Sequence, residues 1–325
     1  MCPEEYEVIV PQTKLSVPFM SGSPELRSLL AAKYNVEKKN IFVTTGVSLL
    51  VQLIVQTFLS PKDSVAVETP VYEPLVLGAR SMGCAIQPLQ RLFEQSFALP
   101  LPSYQKPAPA MVILTNPHNP SGTSLSQKNL EELAAYAEQN KSIILSDEVY
   151  NEASFVKSSP LCHMTKYALS LSHVNKPYGL GKLKVGWVVG EESLISKIEE
   201  ANTLLHADVS SVIDKKTQEV LRNEDMWRGL TLARLRKNFS LMKEWVTHYN
   251  VQWVEPNGTP IGFVKVPVSD TRAFVDYLID TYQTRVIPGA FFEAEGFLRI
   301  GYSVKEDILR EGLRRLGEAM RTWKD

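Results

Sequence analysis

Apolar positions along this chain follow two alternating rhythms. Short runs dominated by apolar and small residues recur as "SVAVE" (64–68), "MVILT" (111–115), "SIILS" (142–146), "ALSLS" (168–172) and "VGWVV" (185–189). Such runs suit strands buried on both faces. Between some of them lie stretches of helical spacing, such as "NLEELAAYAEQ". This alternation predicts an α/β domain on a mostly parallel sheet. Ahead of it, Ser23-Pro24 opens a helix with an N-cap and a first-position proline, and Leu26, Leu29 and Leu30 share one face. "NIFVTT" then reads as a strand that passes through a small-residue turn into "VSLLVQLIVQTFLSP". That helix is apolar nearly all round, which predicts a place between layers.

The rhythm changes after about residue 205. Amphipathic helices are predicted over roughly 211–249; the short segments "QWVEP", "GFVKV" and "FLRIGY" then alternate with helices at 271–282 and 305–323. This is the pattern of a smaller α+β domain. No Gly/Ser linker marks the join, so the boundary is expected within a long helix. The proline-dense stretch 100–109 reads as a loop, and no internal repeat is evident.

Composition adds bounds rather than a function. With 325 residues, 44% hydrophobic and 22% charged, the chain suits one large globular domain or two unequal ones. A net charge of −1 gives no support for a nucleic-acid or membrane-surface role, so any phosphate should be held at a local site. Cys2, Cys84 and Cys162 are scattered and lack metal-ligand spacing, which reads as small buried hydrophobes in a reducing compartment. The opening "MCPEEYEVIV" has no basic-then-apolar leader pattern, and no uncharged apolar run approaches a membrane span. The expected location is cytoplasmic.

Four predicted strand ends carry unusual polar groups. In "TTGVS", Gly46, Val47 and Ser48 form a turn at a helix N-terminus, where free N–H groups and the dipole suit a phosphate. A plain strand-to-helix turn would look the same. In "TNPHNPSG" (115–122), prolines 117 and 120 stiffen a loop that presents Thr115 and Asn119. In "SDEVY" (146–150), Asp147 should lie half-buried at the sheet's carboxyl edge, where a cationic partner is expected. A helix cap or internal ion pair is the plainer alternative. In "HVNKPYGLGKLKVGW" (173–187), Lys176 ends one strand and Lys184 begins the next. An amine among apolar residues and other cations becomes a nucleophile toward carbonyls; Lys182 reads as a surface lysine.

A phosphate seat, an amide, a carboxylate and an amine together suit a phosphorylated heteroaromatic aldehyde. From about Gly22 to its end, the chain resembles fold-type I pyridoxal-phosphate enzymes of the class I/II aminotransferase family. The resemblance rests on N-P-x-N-P, D-E-V-Y and N-K-x-Y-G-L-x-x-L-x-V-G-W, in that order. It implies a large domain over 20–210 with a mostly parallel seven-stranded sheet flanked by helices. A smaller domain of residues 1–19 and 211–325 would close over substrate. It makes Lys176 the Schiff-base lysine and the base for the Cα proton, and pairs Asp147 with the pyridine nitrogen. Asn119 and Tyr150 would bond the ring hydroxyl, and Tyr72, in "ETPVYEP", would stack on the ring. Val47 and Ser48 would receive the phosphate, and Arg299, in "FLRIGY", would grip the substrate carboxylate. A homodimer acting on an amino acid and a 2-oxo acid is also implied.

Three positions depart from the family pattern. Lys184 stands where arginine is usual, keeping the charge but losing the planar fork. His173 stands where a phosphate-bonding serine is usual, and reads equally as a phosphate donor or a packed loop residue. Val17 stands where a tyrosine would cross a dimer to the phosphate, and the glycine loop usual near substrate has no counterpart in residues 1–20. Tyr6 and Phe19 are aromatics nearby with no assigned role. The leading expectation is an amino-acid aminotransferase. A decarboxylase or lyase of the same fold, or a non-catalytic binding protein retaining it, remains the alternative.

Overall fold

The apolar runs become strands because alternate residues serve two different helical layers. In the computed structural model, which describes residues 19–101 and 107–324, seven strands make one sheet. They are β1 (Ile41–Thr44), β2 (Ser64–Thr69), β3 (Ala85–Gln90), β4 (Met111–Thr115), β5 (Ile143–Asp147), β6 (Ala168–His173) and β7 (Gly186–Val189). Their order is β1-β7-β6-β5-β4-β2-β3. β2 to β6 run parallel, and β7 is antiparallel to both its neighbours. Tyr6 and Val17 lie outside the described residues.

Helices of the first unit are α1 (Pro24–Tyr34), α2 (Val47–Phe58), α3 (Pro74–Ser81), α4 (Gln127–Asn140), the short α5 (Asn175–Tyr178) and α6 (Glu192–Leu205). Phe42, Val67, Ile113, Leu145, Leu171 and Val188 pack on one side of the sheet with the apolar faces of α2, α3 and α6. The residues between them point the other way. Val43 and Trp187 meet α1, and Ala66, Val112, Leu114 and Ile144 meet α4. A pleated strand with helices on both faces needs apolar residues at consecutive positions, which is why these runs do not alternate. The Ser23 hydroxyl caps α1 by accepting from Leu26 N–H, as its Ser-Pro start predicts.

β3 is not anticipated by the apolar pattern. Its sequence "AIQPLQ" is mostly solvent-facing and contains Pro88. Being an edge strand paired only with β2, it tolerates both features. The predicted helical stretch 211–249 is two helices, α7 (Ser211–Arg222) and α8 (Glu224–His248), broken at Asn223.

Beyond α8 a second sheet contains β8 (Gln252–Trp253), β9 (Ile261–Lys265), β10 (Ile287–Pro288) and β11 (Phe297–Gly301), in the order β10-β11-β9-β8, all antiparallel. The two-residue β10 is too short to leave a periodic signal. α8, α9 (Thr271–Tyr282) and α10 (Glu306–Thr322) cover one face, where Val264, Leu298 and Ile300 meet Trp245, Phe274 and Leu316. The opposite face turns toward the first sheet: Phe263 and Phe297 join Phe97 and Phe292, and Ile261 joins Val149 and Tyr150. Arg299 is opposite Phe263 in the register, so it shares this face, while its neighbours Leu298 and Ile300 are core. The two units meet tightly at Gly122 (φ +77°), where an added Cβ would lie 2.3 Å from Thr259 Oγ1 and 2.6 Å from the Ile261 carbonyl.

Candidate active site

The loops after β1, β2, β4, β5 and β6 converge at the carboxyl edge of the large sheet, facing Arg299. They enclose a cleft of about 420 Å3 lined by all eleven candidate residues: Gly46, Val47, Ser48, Tyr72, Asn119, Asp147, Tyr150, His173, Lys176, Lys184 and Arg299. Thr45, Leu49, Val149, Asn175 and Val185, not singled out from the sequence, complete the lining. Lys182 is exposed and outside it. A groove of about 480 Å3 beside α10 gathers none of these groups.

Asp147 is the last residue of β5 and is 5% exposed, more buried than its sequence context implies. Its Oδ1 accepts the Val149 N–H at 3.1 Å. Burial pushes its carboxyl up to about 7, the charge of Glu68 adding to this and Lys176 opposing it. The expected cationic partner is therefore not an ion pair within the chain among the described residues. A buried carboxylate left in this state fits a protonated ring nitrogen, which would restore its ordinary acidity.

One end of the cleft is built largely from backbone. Gly46 (φ +98°) is the N-cap of α2 and has no side chain to satisfy the first N–H groups, so those of Val47 and Ser48 stay available. Gly186 of β7 lies directly against this turn; an added Cβ would sit 2.8 Å from the Val47 nitrogen. The donor set fits a phosphate: uncapped N–H groups, the Ser48 hydroxyl and the exposed Lys184 ammonium, which precedes β7 rather than beginning it.

His173 is the last residue of β6 and is 8% exposed. Burial holds its imidazole down at about 4, with Lys176 lowering it further, so it is neutral at pH 7. Its Nδ1 accepts the Lys176 backbone N–H at 3.5 Å, which assigns the proton to Nε2. Lys176 is not at a strand end but in α5, and its side chain is exposed to the cleft rather than enclosed by apolar neighbours. Its Nζ is 5.7 Å from the centre of the Tyr150 ring. The Tyr178 hydroxyl donates to Glu224 at 3.0 Å and ties α5 to the start of α8.

Asn119 and Arg299 come together across the two sheets, Arg299 Nη1 donating to Asn119 Oδ1 at 2.9 Å. The guanidinium lies 5.1 Å from the centre of the Phe292 ring. Tyr72, half-buried after the cis Thr69–Pro70 bond, lines the same corner. Behind it lies a buried group that the sequence reading passed over, Glu68 with Arg91 and His118. Glu68 carried the same signal as Asp147, a carboxylate at the end of an apolar run.

Residues 11–316 match the family model for aminotransferase class I and II. A probable aspartate/prephenate aminotransferase of Aquifex aeolicus is 24% identical, the match covering 92% of this chain and 82% of that protein. The arginine–pyruvate transaminase of Pseudomonas aeruginosa is 26% identical, with 91% of this chain and 80% of that protein covered. Among solved structures, a PLP-dependent aminotransferase from Streptococcus suis superposes with a TM-score of 0.90 at 23% identity, covering 96% of this chain and 85% of that one. The fold, the convergent cleft and a family match across nearly the whole chain agree: this protein belongs to the class I and II aminotransferases, which depend on pyridoxal phosphate.

Proposed function

We propose that the protein is an amino-acid aminotransferase that moves an amino group between an amino acid and a 2-oxo acid, ten of the candidate residues in the cleft holding pyridoxal phosphate and Arg299 the substrate. The observation that carries this reading is the buried Asp147, which has no ion-pair partner among the described residues and faces the same cleft as Lys176. Bound cofactor supplies an electron sink that acidifies the substrate Cα–H. Asp147 keeps the ring nitrogen protonated, and the ion pair returns its carboxyl to the charged form. Lys176, whose amine opens into the cleft, would hold the cofactor and, when freed, would serve as the base that takes the substrate Cα proton. Tyr72 covers one face of the ring, and Asn119 and Tyr150 bond its hydroxyl.

Val47 and Ser48 N–H groups, the Ser48 hydroxyl, Lys184 and His173 Nε2–H hold the phosphate. Arg299, braced by Asn119, grips the substrate carboxylate in two-point fashion. The units 20–210 and 1–19 with 211–325 would close on one another around the substrate and exclude water. A cytoplasmic homodimer completes the reading. It is supported by family membership and by the exposed apolar side chains of Phe19, Met20, Leu204 and Leu205, which lie near the Phe19–Val209 bridge.

The test is borohydride reduction of the cofactor-loaded protein followed by peptide mapping. The pyridoxyl label is expected on Lys176; label elsewhere, or none, defeats the assignment. Turnover of amino donors with 2-oxoglutarate then checks the reaction type, since release of ammonia or carbon dioxide would indicate a lyase or decarboxylase.

A further inference from the structure

A buried ion pair stands directly behind the cleft without lining it. Glu68, near the end of β2, is fully buried, and Arg91, just past β3, is 2% exposed. Arg91 Nη1 donates to Glu68 Oε2 at 2.6 Å, and Arg91 Nε donates to the Phe97 carbonyl at 2.6 Å. The other carboxylate oxygen, Oε1, accepts both the Thr115 N–H (2.7 Å) and the Thr115 hydroxyl (2.5 Å). With its hydrogen committed to Glu68, Thr115 Oγ1 presents a lone pair outward and accepts the Asn119 N–H at 2.8 Å. Asn119 Oδ1 in turn accepts from Arg299 Nη1 at 2.9 Å. An unbroken series of bonds thus runs from Arg91 to Arg299.

Stability is a weak reason for such a pair, since desolvating two charges offsets most of their attraction. Direction is a better one. A charged acceptor fixes which way the Thr115 hydroxyl points, and that fixes the backbone of Asn119 between Pro117 and Pro120. His118, buried beside it, bonds the Pro70 carbonyl through Nε2 at 2.9 Å and Ser121 Oγ through Nδ1 at 2.7 Å. Burial and the Arg91 charge keep this imidazole neutral, so Glu68 is matched by Arg91 and not by His118.

We infer that Arg91 and Glu68 are positioning residues for Arg299: through Thr115 they hold Asn119 where it aims the guanidinium, seated against Phe292, for a two-point grip on a carboxylate. The inference rests on the reading of Arg299 as the group that binds the substrate carboxylate.

The experiment compares Thr115→Val, Thr115→Ser and Glu68→Gln in the cofactor-loaded protein. Hydrogen exchange is read in peptides spanning 115–122 and 143–147, together with KM and kcat for the amino donor. Thr115→Val is expected to speed exchange in the first peptide by about tenfold or more and leave the second unchanged. KM should rise about tenfold to a hundredfold, with a smaller change in kcat. Thr115→Ser, which keeps the hydroxyl, should behave as the wild type, and Glu68→Gln as Thr115→Val. Wild-type exchange and KM in Thr115→Val would overturn the inference. So would equal loss of protection in both peptides with no rescue by serine, which marks a general structural role. Should the wild type turn over no amino acid, the reading of Arg299 fails separately, and the exchange data alone decide whether the series holds Asn119.

Discussion

At the scale of single residues, the cleft is defined by groups whose charge state is set against their burial. Asp147 titrates near 7 in the folded protein against 3.8 for the free side chain, so ionising it works against folding. Its contribution to stability is full below about pH 4 and is lost as the pH rises to about 7. Asp147→Asn should therefore stabilise the cofactor-free protein at pH 8 by about 2–4 kcal/mol, seen as a higher denaturant midpoint, with the gain vanishing below about pH 4. The same change should weaken cofactor binding by about a hundredfold, because the ring nitrogen loses its counter-charge. Unchanged cofactor affinity would remove Asp147 from the proposed site. Lys184 allows the opposite test. Lys184→Arg should tighten cofactor binding several-fold by adding a second donor, whereas Lys184→Met should weaken it by about tenfold to a hundredfold. Equilibrium titration of the cofactor-free variants reads both, and equal affinities would show that residue 184 does not touch phosphate.

At the scale of elements, what the sequence discloses depends on how many partners an element has. The five apolar runs were legible because two helical layers require continuous apolar sequence, and Asp147 could be located because it terminates such a run, whereas His173 was singled out only through the family resemblance. β3 was not, since an edge strand needs only one bonded side and carries Pro88 without penalty. Glu68 was passed over although it ends an apolar run as Asp147 does, because its partner Arg91 lies in no motif and is brought to it only by the pairing of β2 with β3. The exposure of Lys176 was misjudged because α5 lifts it off the strand end. Gly186 is the element-scale test of the proposed phosphate seat. Gly186→Ala would drive a methyl group into the Val47 nitrogen and push β7 from α2. It should cost about 1–3 kcal/mol of stability and lower cofactor affinity further than Gly181→Ala, whose Cβ meets nothing within 4 Å. Thermal melts with and without cofactor read the difference; similar behaviour of the two variants would contradict the close approach.

At the scale of the whole molecule, the cleft draws ten of its candidate residues from the first sheet and the segments that follow its strands, and Arg299 from the second sheet. A cofactor–substrate complex would touch both units, and the Gly122 junction already joins them through the Thr259 hydroxyl and the Asn257 N–H. Gly122→Ala is expected to loosen that junction, since neither the φ of +77° nor the space beside it admits a side chain. Calorimetry should then show one transition in the wild type and two in the variant, merging again when cofactor and a carboxylate substrate analogue are added. A single transition throughout would mean that the junction does not couple the units.

The position of β7 also has a consequence for how the protein is made. β1, which leads into the Gly46 turn, pairs among the described residues with β7 alone, the last strand of its sheet to be synthesised. Until Gly186 leaves the ribosome, β1 therefore lacks its strand partner and the Gly46 turn lacks the backbone that packs against it. Loop closure over so long a separation is slow relative to local helix formation. Cofactor capture should follow nearly complete synthesis, so stalled chains ending before β7 would be made without taking up pyridoxal phosphate.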